Sequence, residues 1–273
     1  MWKNLSKEEL DRAYNNSLAV KNSADIIRSW EKASAQAKLE INGACDIPYG
    51  DSRFQLFDFF SAKEDSPVII FVHGGFWQMR SKNDFTFIVP PLVNAGFDVA
   101  MLGYSLAPHA SLNQIVMDVR NGIHAIQTYL TKQYTSPKKI WLLGWSAGAH
   151  LISMALGEDG VMGGTAVSGI YDVEPMMHCY INDKLQLDET TVINNSPIRL
   201  APPLKSLDIF VGQEELPEMQ RQSIDFFEYR KSKGAMGIFE NIPQRNHYTI
   251  FDELTSTTGV ILTSIKARLL RSM

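Results

Sequence analysis

The sequence predicts an α/β fold, a doubly wound, mostly parallel β-sheet with helices on both faces and a small cap insertion. From residue 68 onward, short apolar runs alternate with stretches whose apolar residues recur at helical spacing. Repeats of strand, helix and strand imply right-handed crossovers and a parallel sheet. The run at residues 68–72 is apolar throughout, which is typical of a strand covered on both faces.

Capping residues and apolar spacing predict the individual elements. Ser6 and Glu9 have the spacing of a capping box, which places a helix start at residue 7. After Ser111, apolar residues three, four and seven positions apart predict a long amphipathic helix. Apolar runs bounded by turn residues predict strands, the first two as an antiparallel pair at the sheet edge. In chain order we expect helices at 7–16 and 24–39, strands at 45–49, 54–60 and 68–72, a helix at 85–94, a strand at 98–104, a helix at 112–130, a strand at 140–143, a helix at 147–156, strands at 165–170 and 207–211, a helix at 217–231, a strand at 236–240 and a final helix from about 250 to 270.

The sequence predicts a single domain over residues 1–273. No Pro/Gly/Ser-rich linker or charge run divides it, and such stretches mark most domain boundaries. Residues 1–42 predict an N-terminal helical segment. Between residues 171 and 204 the periodicity fails among several asparagines and the prolines at 197, 202 and 203, so we expect this segment to be a cap over the functional site.

Composition excludes several classes of protein. The net charge is −4 and the lysines and arginines are scattered, which argues against nucleic acid or a membrane as partner. The first twenty residues lack the apolar centre of a signal peptide, so a cytoplasmic protein is expected. Cys45 and Cys179 are too few for a disulfide framework and match no zinc spacing. The sequence is compatible with a homodimer but holds no evidence for the oligomeric state.

A candidate nucleophile lies where the apolar run at 140–143 meets the helical pattern at 147–156. In a G-x-S-x-G turn the serine is at the apex of a strained strand-to-helix connection, and the glycines let strand and helix approach closely. We predict Ser146 as the nucleophile, against the alternative of an ordinary glycine-rich turn. The five residues of the turn are Gly144, Trp145, Ser146, Ala147 and Gly148.

A serine nucleophile needs a base and a group that orients it. Of the six histidines, His247 alone follows the last predicted strand, in the chain order serine, acid, histidine. His109 and His178 lie in irregular segments and stay open as alternatives. Glu214 and Glu215 both follow a predicted strand at its carboxyl end. We favour Glu215 as the acid; the alternative is that either glutamate only favours the dipole of the next helix.

Backbone N–H groups beside the serine are the expected donors to an oxyanion. The loop after the strand at 68–72 is rich in glycine, which allows its backbone to approach a substrate. The predicted donors are Gly74, Gly75, Phe76 and Ala147. Four aromatic residues adjoin these motifs and are candidates to bind substrate, although each is also compatible with a place in the core: Trp77, Trp145, Tyr171 and Tyr248.

Together these motifs resemble the kynurenine formamidase (arylformamidase) group of α/β-hydrolases, near the hormone-sensitive-lipase branch, over nearly the whole chain. The resemblance implies Ser146 as nucleophile, His247 as base and Glu215 where the formamidases commonly have Asp. Phe76 stands where the family usually has Tyr. The residues that carry the resemblance are 73–77, 144–151, 169–172, 211–218 and 246–247.

We therefore expect a serine hydrolase that cleaves a formyl or acetyl group from a small aryl amide or ester through an acyl-enzyme, without metal or organic cofactor. Two other functions stay open. One is a short-chain carboxylesterase, and the other is a non-catalytic ligand-binding protein on the same fold.

Overall fold

An eight-stranded sheet forms the centre of the molecule. The computed structural model describes residues 2–270. The strands are β1 (Ala44–Pro48), β2 (Leu56–Phe60), β3 (Val68–Val72), β4 (Asp98–Leu102), β5 (Ile140–Trp145), β6 (Val161–Val167), β7 (Ser206–Gly212) and β8 (Phe239–Ile242). Their spatial order is β1-β2-β4-β3-β5-β6-β7-β8. Strand β2 is antiparallel to both neighbours and all other pairs are parallel, which confirms the predicted mostly parallel sheet.

The helices are short at the N-terminus and long where they cross between parallel strands. They are α1 (Lys7–Ala13), α2 (Asn16–Ala19), α3 (Ser23–Glu40), α4 (Val89–Asn94), α5 (Leu112–Gln133), α6 (Ala147–Ala155), α7 (Glu174–Met177), α8 (Asn182–Leu185), α9 (Glu189–Asn194), α10 (Pro217–Ser232), α11 (Asp252–Thr255) and α12 (Val260–Leu269). Single-turn or slightly longer 3₁₀ helices occur at Trp2–Asn4, Lys82–Ile88, Pro197–Arg199 and Thr249–Phe251.

Both faces of the sheet are buried. Along β3, Val68 and Ile70 belong to one apolar cluster, whereas Ile69 and Phe71 belong to the other. The first cluster includes side chains from α5 and α6, and the second includes side chains from α4 and α12. Alternate side chains of a strand point to opposite faces. The continuous apolar run of β3 is therefore explained by helices on both sides.

Several predicted elements differ from the structure. The predicted helix at 85–94 is a 3₁₀ helix, Lys82–Ile88, followed by α4 (Val89–Asn94), and the predicted helix at 7–16 ends at Ala13. Strand β4 ends at Leu102 rather than at residue 104.

Strand β6 begins at Val161 rather than at residue 165, because Gly163 pairs with Trp141. A Cβ atom there would lie 2.5 Å from the Trp141 ring, so the strand requires glycine at this position. In the sequence, a glycine usually indicates a turn, and the start of the strand was therefore predicted too late. Strand β8 begins at Phe239 rather than at residue 236, after Gly237 with φ of 148°. The predicted final helix is two helices, α11 and α12, separated at residues 256–259.

The carboxyl ends of the parallel strands lie at one edge of the sheet, and the N-terminal segment lies near that edge. Helix α3 is tied to the 3₁₀ helix Lys82–Ile88 through Ser34, whose Oγ donates to the Asp84 carbonyl (2.9 Å) and accepts from the Phe87 N–H (3.1 Å). The ring of Trp30 on α3 lies 5.7 Å from the ring of Trp145 at the end of β5. Helix α3 therefore belongs to the surroundings of the candidate site.

Candidate active site

Ser146 is in a strained turn between β5 and α6. Its backbone has φ of 57° and ψ of −121°, a region that non-glycine residues rarely adopt. A Cβ atom on Gly148 would lie 2.0 Å from the Val72 carbonyl oxygen, and one on Gly144 would lie 2.3 Å from the Gly148 carbonyl oxygen. The two glycines are thus required for α6 to cross β3 and β5 this closely.

Three side chains distant in sequence form a chain of hydrogen bonds at this turn. His247 Nε2 lies 3.2 Å from Ser146 Oγ, and His247 Nδ1 lies 2.8 Å from Glu215 Oε2. All three residues are buried. An ionised carboxylate only accepts hydrogen bonds, so Nδ1 carries the proton and Nε2 is left to accept from the serine hydroxyl. Glu214 is exposed, and the structure therefore brings Glu215 to the histidine.

The carboxylate of Glu215 has donors on both oxygens. Ser168 Oγ donates to Oε1 (2.5 Å), as does the Gly212 N–H (2.8 Å), while His247 donates to Oε2. Such charge-assisted hydrogen bonds compensate a buried carboxylate for the water that it has lost. Sequence reasoning missed Ser168. Its place just beyond β6 (Val161–Val167), next to the strands that carry Ser146 and Glu215, is the signal for it.

The other histidines do not approach the serine hydroxyl. Nδ1 of His73 bonds to the Gly74 carbonyl oxygen (2.8 Å), and His150 accepts a hydrogen bond from the Trp77 indole (3.1 Å). Burial lowers the pKa of His73 and of His150 to about 4, so both are neutral structural groups. The two histidines left open from the sequence are exposed and do not line the cavity beside the serine: His109 and His178.

The glycine loop after β3 packs directly against the turn that holds Ser146. A Cβ atom on Gly74 would lie 2.9 Å from Ser146 Cβ. The next two residues have positive φ, 116° at Gly75 and 51° at Phe76, a conformation that residues other than glycine rarely adopt. The four predicted oxyanion donors have no acceptor within residues 2–270: the backbone N–H groups of Gly74, Gly75, Phe76 and Ala147.

A cavity opens beside Ser146 and His247. Its empty space of about 430 Å³ includes the open solvent at its mouth. Of the four predicted aromatic residues, Trp145 and Tyr248 line it. The other walls come from the loop after β3 and the following 3₁₀ helix, through Gly75, Phe76, Met79, Arg80 and Phe85.

Trp77 and Tyr171 do not line this cavity, contrary to the prediction. Trp77 is fully buried and its indole N–H is used by His150. Tyr171 is also fully buried, and its ring stacks on Phe226 at 4.3 Å. Both residues lie soon after a strand, but their side chains belong to the apolar cluster on the α5 and α6 face of the sheet.

The predicted cap at residues 171–204 does not line the cavity either. It forms α7, α8, α9 and a 3₁₀ turn, and Met176, Ile181 and Val192 pack into the cluster on the α5 and α6 face. The N-terminal helices line the cavity instead, through four residues that sequence reasoning did not select: Asn16, Ser17, Ile27 and Trp30. The apolar spacing of α3 was the available signal, since Ile27 and Trp30 lie on its predicted apolar face.

Within residues 2–270, no three His, Cys, Asp or Glu side chains are grouped so that they could hold a metal ion. Over the same range no helix combines the length and the apolar character needed to cross a bilayer. The cytoplasmic location stays a prediction.

Known proteins resemble this chain in sequence and in structure. The BD-FAE family model matches residues 57–195, which include the glycine loop and Ser146. The kynurenine formamidases of Danio rerio and Salmo salar are 32% and 31% identical to it, each over 93% of both chains. The chain belongs to the kynurenine formamidase family. Both matches cover nearly the whole length of this chain.

The structural comparison agrees with the predicted fold. A putative thioesterase from Silicibacter sp. TM1040 superposes on this protein with a TM-score of 0.81 at 23% identity. The match covers 93% of this chain and 99% of the thioesterase chain. At that identity the likeness concerns the fold alone. The predicted α/β-hydrolase fold, the predicted family and the predicted hydrolase function are confirmed.

Proposed function

We propose that Ser146, His247 and Glu215 are the catalytic triad of a hydrolase that removes a formyl or acetyl group from an aryl amide or ester. The observation that carries the proposal is the continuous hydrogen-bond chain from Ser146 Oγ through His247 to Glu215, at the floor of an open cavity. Relatives named kynurenine formamidase support formyl as the acyl group and an aryl amine as its partner.

Acylation begins at Ser146. Its Oγ attacks the carbonyl carbon of the substrate while His247 Nε2 takes the hydroxyl proton. The carbonyl π electrons move to oxygen, and the oxyanion accepts hydrogen bonds from the candidate backbone N–H groups of Gly74, Gly75, Phe76 and Ala147. When the C=O bond re-forms, the bond to the leaving nitrogen or oxygen breaks and His247 returns the proton to that atom.

Deacylation repeats the sequence with water. His247 takes a proton from a water molecule whose oxygen attacks the acyl carbon, and collapse of the second intermediate returns the proton to Ser146 Oγ. Glu215 stays ionised throughout and stabilises the imidazolium in both halves. The products are the small carboxylic acid and the free amine or alcohol.

The cavity favours a compact acyl group and an aromatic leaving group. The rings of Trp30, Phe85 and Trp145 lie around the nucleophile side of the cavity, with centroids 5.6–5.9 Å apart. A long acyl chain would have to displace these rings, and repacking a filled apolar wall is costly. An aniline leaves more readily than an alkyl amine because it is less basic.

The test is a turnover screen joined to labelling of the serine. The purified chain should cleave N-formylkynurenine and phenyl acetate with kcat/KM well above that for octanoyl esters. A fluorophosphonate should form one adduct, on Ser146, and Ser146→Ala should lower turnover by several orders of magnitude with an unchanged fold. Ser153→Ala is the matched control, since its buried hydroxyl bonds only to the Ala149 carbonyl within α6.

Two results would overturn the proposal. An adduct on another serine would exclude the assigned nucleophile. A tenfold preference for octanoyl over acetyl esters would exclude the compact acyl site and favour a lipase-like enzyme.

A further inference from the structure

The loop that follows β3 is strained at two consecutive residues. Phe76 and Trp77 have φ of 51° and 60°, and bulky residues other than glycine rarely adopt this left-handed conformation. Such a conformation costs free energy and persists only where the surrounding structure holds it. The same loop carries three of the four predicted oxyanion donors, the N–H groups of Gly74, Gly75 and Phe76. The contacts that hold the strained turn therefore also fix the direction of these donors.

One tie runs from the loop through helix α6 (Ala147–Ala155). The buried indole of Trp77 donates from Nε1 to His150 Nδ1 at 3.1 Å, and the two rings meet edge to face with centroids 5.1 Å apart. Because Nδ1 accepts this bond, the proton of the neutral imidazole is on Nε2. That nitrogen donates to the Asn195 carbonyl oxygen at 2.7 Å. One histidine thus connects the strained tryptophan to the backbone just after α9.

A second tie reaches the same part of the chain directly. Gln78 Nε2 donates to the Ile181 carbonyl oxygen at 2.6 Å. Ile181 and Asn195 both belong to residues 171–204, which were predicted to cap the cavity but pack on the α5 and α6 face of the sheet instead. Two neighbouring side chains of the loop are therefore hydrogen-bonded, one directly and one through a histidine, to backbone carbonyls of this segment.

We propose that Trp77 and Gln78 are positioning residues that hold the oxyanion donors in place, with residues 171–204 as their support. The proposal rests on the proposed function, because it takes the loop as the site of the oxyanion formed when Ser146 attacks. Preorganised donors stabilise a transition state only where they point at the oxyanion, and a displacement of about 1 Å can cost on the order of 10²-fold in rate. Neither Trp77 nor Gln78 is among the described residues that line the cavity. Their loss should therefore weaken transition-state binding and leave ground-state binding nearly unchanged.

The positioning role is tested with two ketones of similar shape. With phenyl trifluoromethyl ketone, Ser146 Oγ adds to the carbonyl carbon, His247 takes the hydroxyl proton and the π electrons move to oxygen, which gives a covalent hemiketal with an oxyanion. Phenyl methyl ketone binds without this bond, because its carbonyl carbon is far less electrophilic. The preference for the first ketone, given by the ratio of the two inhibition constants, therefore changes between variants with the strength of oxyanion binding.

Two loop variants remove one hydrogen bond each. Trp77→Phe keeps an aromatic ring in the core; it should lower kcat on phenyl acetate about thirtyfold, change KM by less than about threefold and lower the ketone preference about thirtyfold. Gln78→Met keeps the length of the side chain and should lower kcat and the ketone preference about tenfold. Because Gln78 is only partly buried, its variant keeps the test decisive if Trp77→Phe weakens the fold.

Asn113→Ala is the matched control, because it breaks a hydrogen bond to the same support at a place outside the loop. Asn195 Nδ2 donates to Asn113 Oδ1, on helix α5, at 2.6 Å. The variant should keep kcat and the ketone preference within about twofold of the unaltered protein, even where its urea midpoint falls. Urea unfolding and complete labelling by a fluorophosphonate show for each variant that the fold and Ser146 are intact.

The outcomes separate the positioning role from the proposed function. If both loop variants keep the ketone preference, or if the two ketones lose affinity equally, Trp77 and Gln78 do not position the oxyanion donors while the hydrolase stands. A loss of preference in Asn113→Ala as large as that in Trp77→Phe would also refute the role, since a general loss of stability would explain both. If the unaltered protein neither cleaves phenyl acetate nor forms a fluorophosphonate adduct, the proposed function falls and the positioning role with it.

Discussion

The carboxylate of Glu215 is buried and has a hydrogen-bond partner on each of its oxygens. Ser168 and Gly212 donate to one oxygen and His247 to the other. The two further donors fix the carboxylate so that its second oxygen faces Nδ1 of the histidine. Glu214, one residue earlier, is exposed, and within residues 2–270 its one hydrogen bond runs from its backbone N–H to the Arg245 carbonyl oxygen.

This difference gives a prediction for the two neighbouring glutamates. Glu215→Gln should lower kcat by up to about 10⁴, because an amide at this position favours the wrong tautomer of His247. Glu214→Gln is the control of equal size and equal charge change, and it should alter kcat by less than about threefold. Steady-state kinetics on phenyl acetate measures both. The reverse order of the two effects would show that Glu215 does not orient the histidine.

At the scale of elements, the crossing of α6 (Ala147–Ala155) over β3 and β5 depends on Gly148. A Cβ atom at this position would lie 2.0 Å from the Val72 carbonyl oxygen of β3. That oxygen belongs to the backbone of a central strand, so it cannot shift without moving the strand. Gly148→Ala should lower the free energy of unfolding by more than about 4 kcal/mol, a size reserved for strain or overpacking in a core. Gly157→Ala is the control, because a Cβ atom there meets only the Pro203 side chain at 3.4 Å. Urea unfolding compares the two; equal losses of stability would contradict the steric explanation.

The N-terminal helix α3 supplies an aromatic wall to the site. Trp30 contacts the rings of Phe87, Trp145, Tyr248 and Phe251 at centroid distances of 4.9–5.8 Å. Trp30→Leu should widen the cavity and raise the ratio of kcat/KM for butyryl over acetyl aryl esters by about tenfold, because a larger acyl group then fits without displacing a ring.

A second tryptophan serves as the control for that change. Trp2 stacks on His178 at 5.7 Å, and neither residue lines the cavity. Trp2→Leu should leave the butyryl to acetyl ratio unaltered. A ratio that moves equally in both variants would mean that loss of stability, rather than the shape of the wall, sets the acyl preference.

The same helix shows which features of the molecule follow from sequence. Ser146, Glu215 and His247 were predictable because each follows a parallel strand at its carboxyl end, and those ends meet at one edge of the sheet. The apolar face of α3 was also predictable from the spacing of its apolar residues. The residues around Trp30 in the sequence, however, do not indicate which part of the molecule that face packs against. Residues 171–204 posed the same problem, since their short helices pack on the α5 and α6 face rather than over Ser146.

For the whole molecule, two buried histidines couple stability to pH. His73 follows β3 (Val68–Val72) and stacks on Tyr104 at 4.2 Å, while His150 lies in α6 and bonds to the Asn195 carbonyl oxygen at 2.7 Å. Neither has an acidic partner that would stabilise its charged form within residues 2–270. Burial in these surroundings disfavours the imidazolium and lowers the pKa of both rings to about 4.

The fold should therefore lose stability as the pH falls from about 6.5 toward 4. In the unfolded chain a histidine takes up a proton near pH 6.5, whereas His73 and His150 stay neutral in the folded protein until about pH 4. The unfolded state binds more protons throughout this window, so the free energy of unfolding drops with decreasing pH, by at most roughly 3 kcal/mol for each ring. Urea unfolding at intervals from pH 7.5 to 5 should follow this slope. His150→Gln should be less stable at pH 7.5 through its lost hydrogen bonds but show a shallower slope. A His150→Gln slope equal to that of the unaltered protein would mean that other groups carry the acid sensitivity.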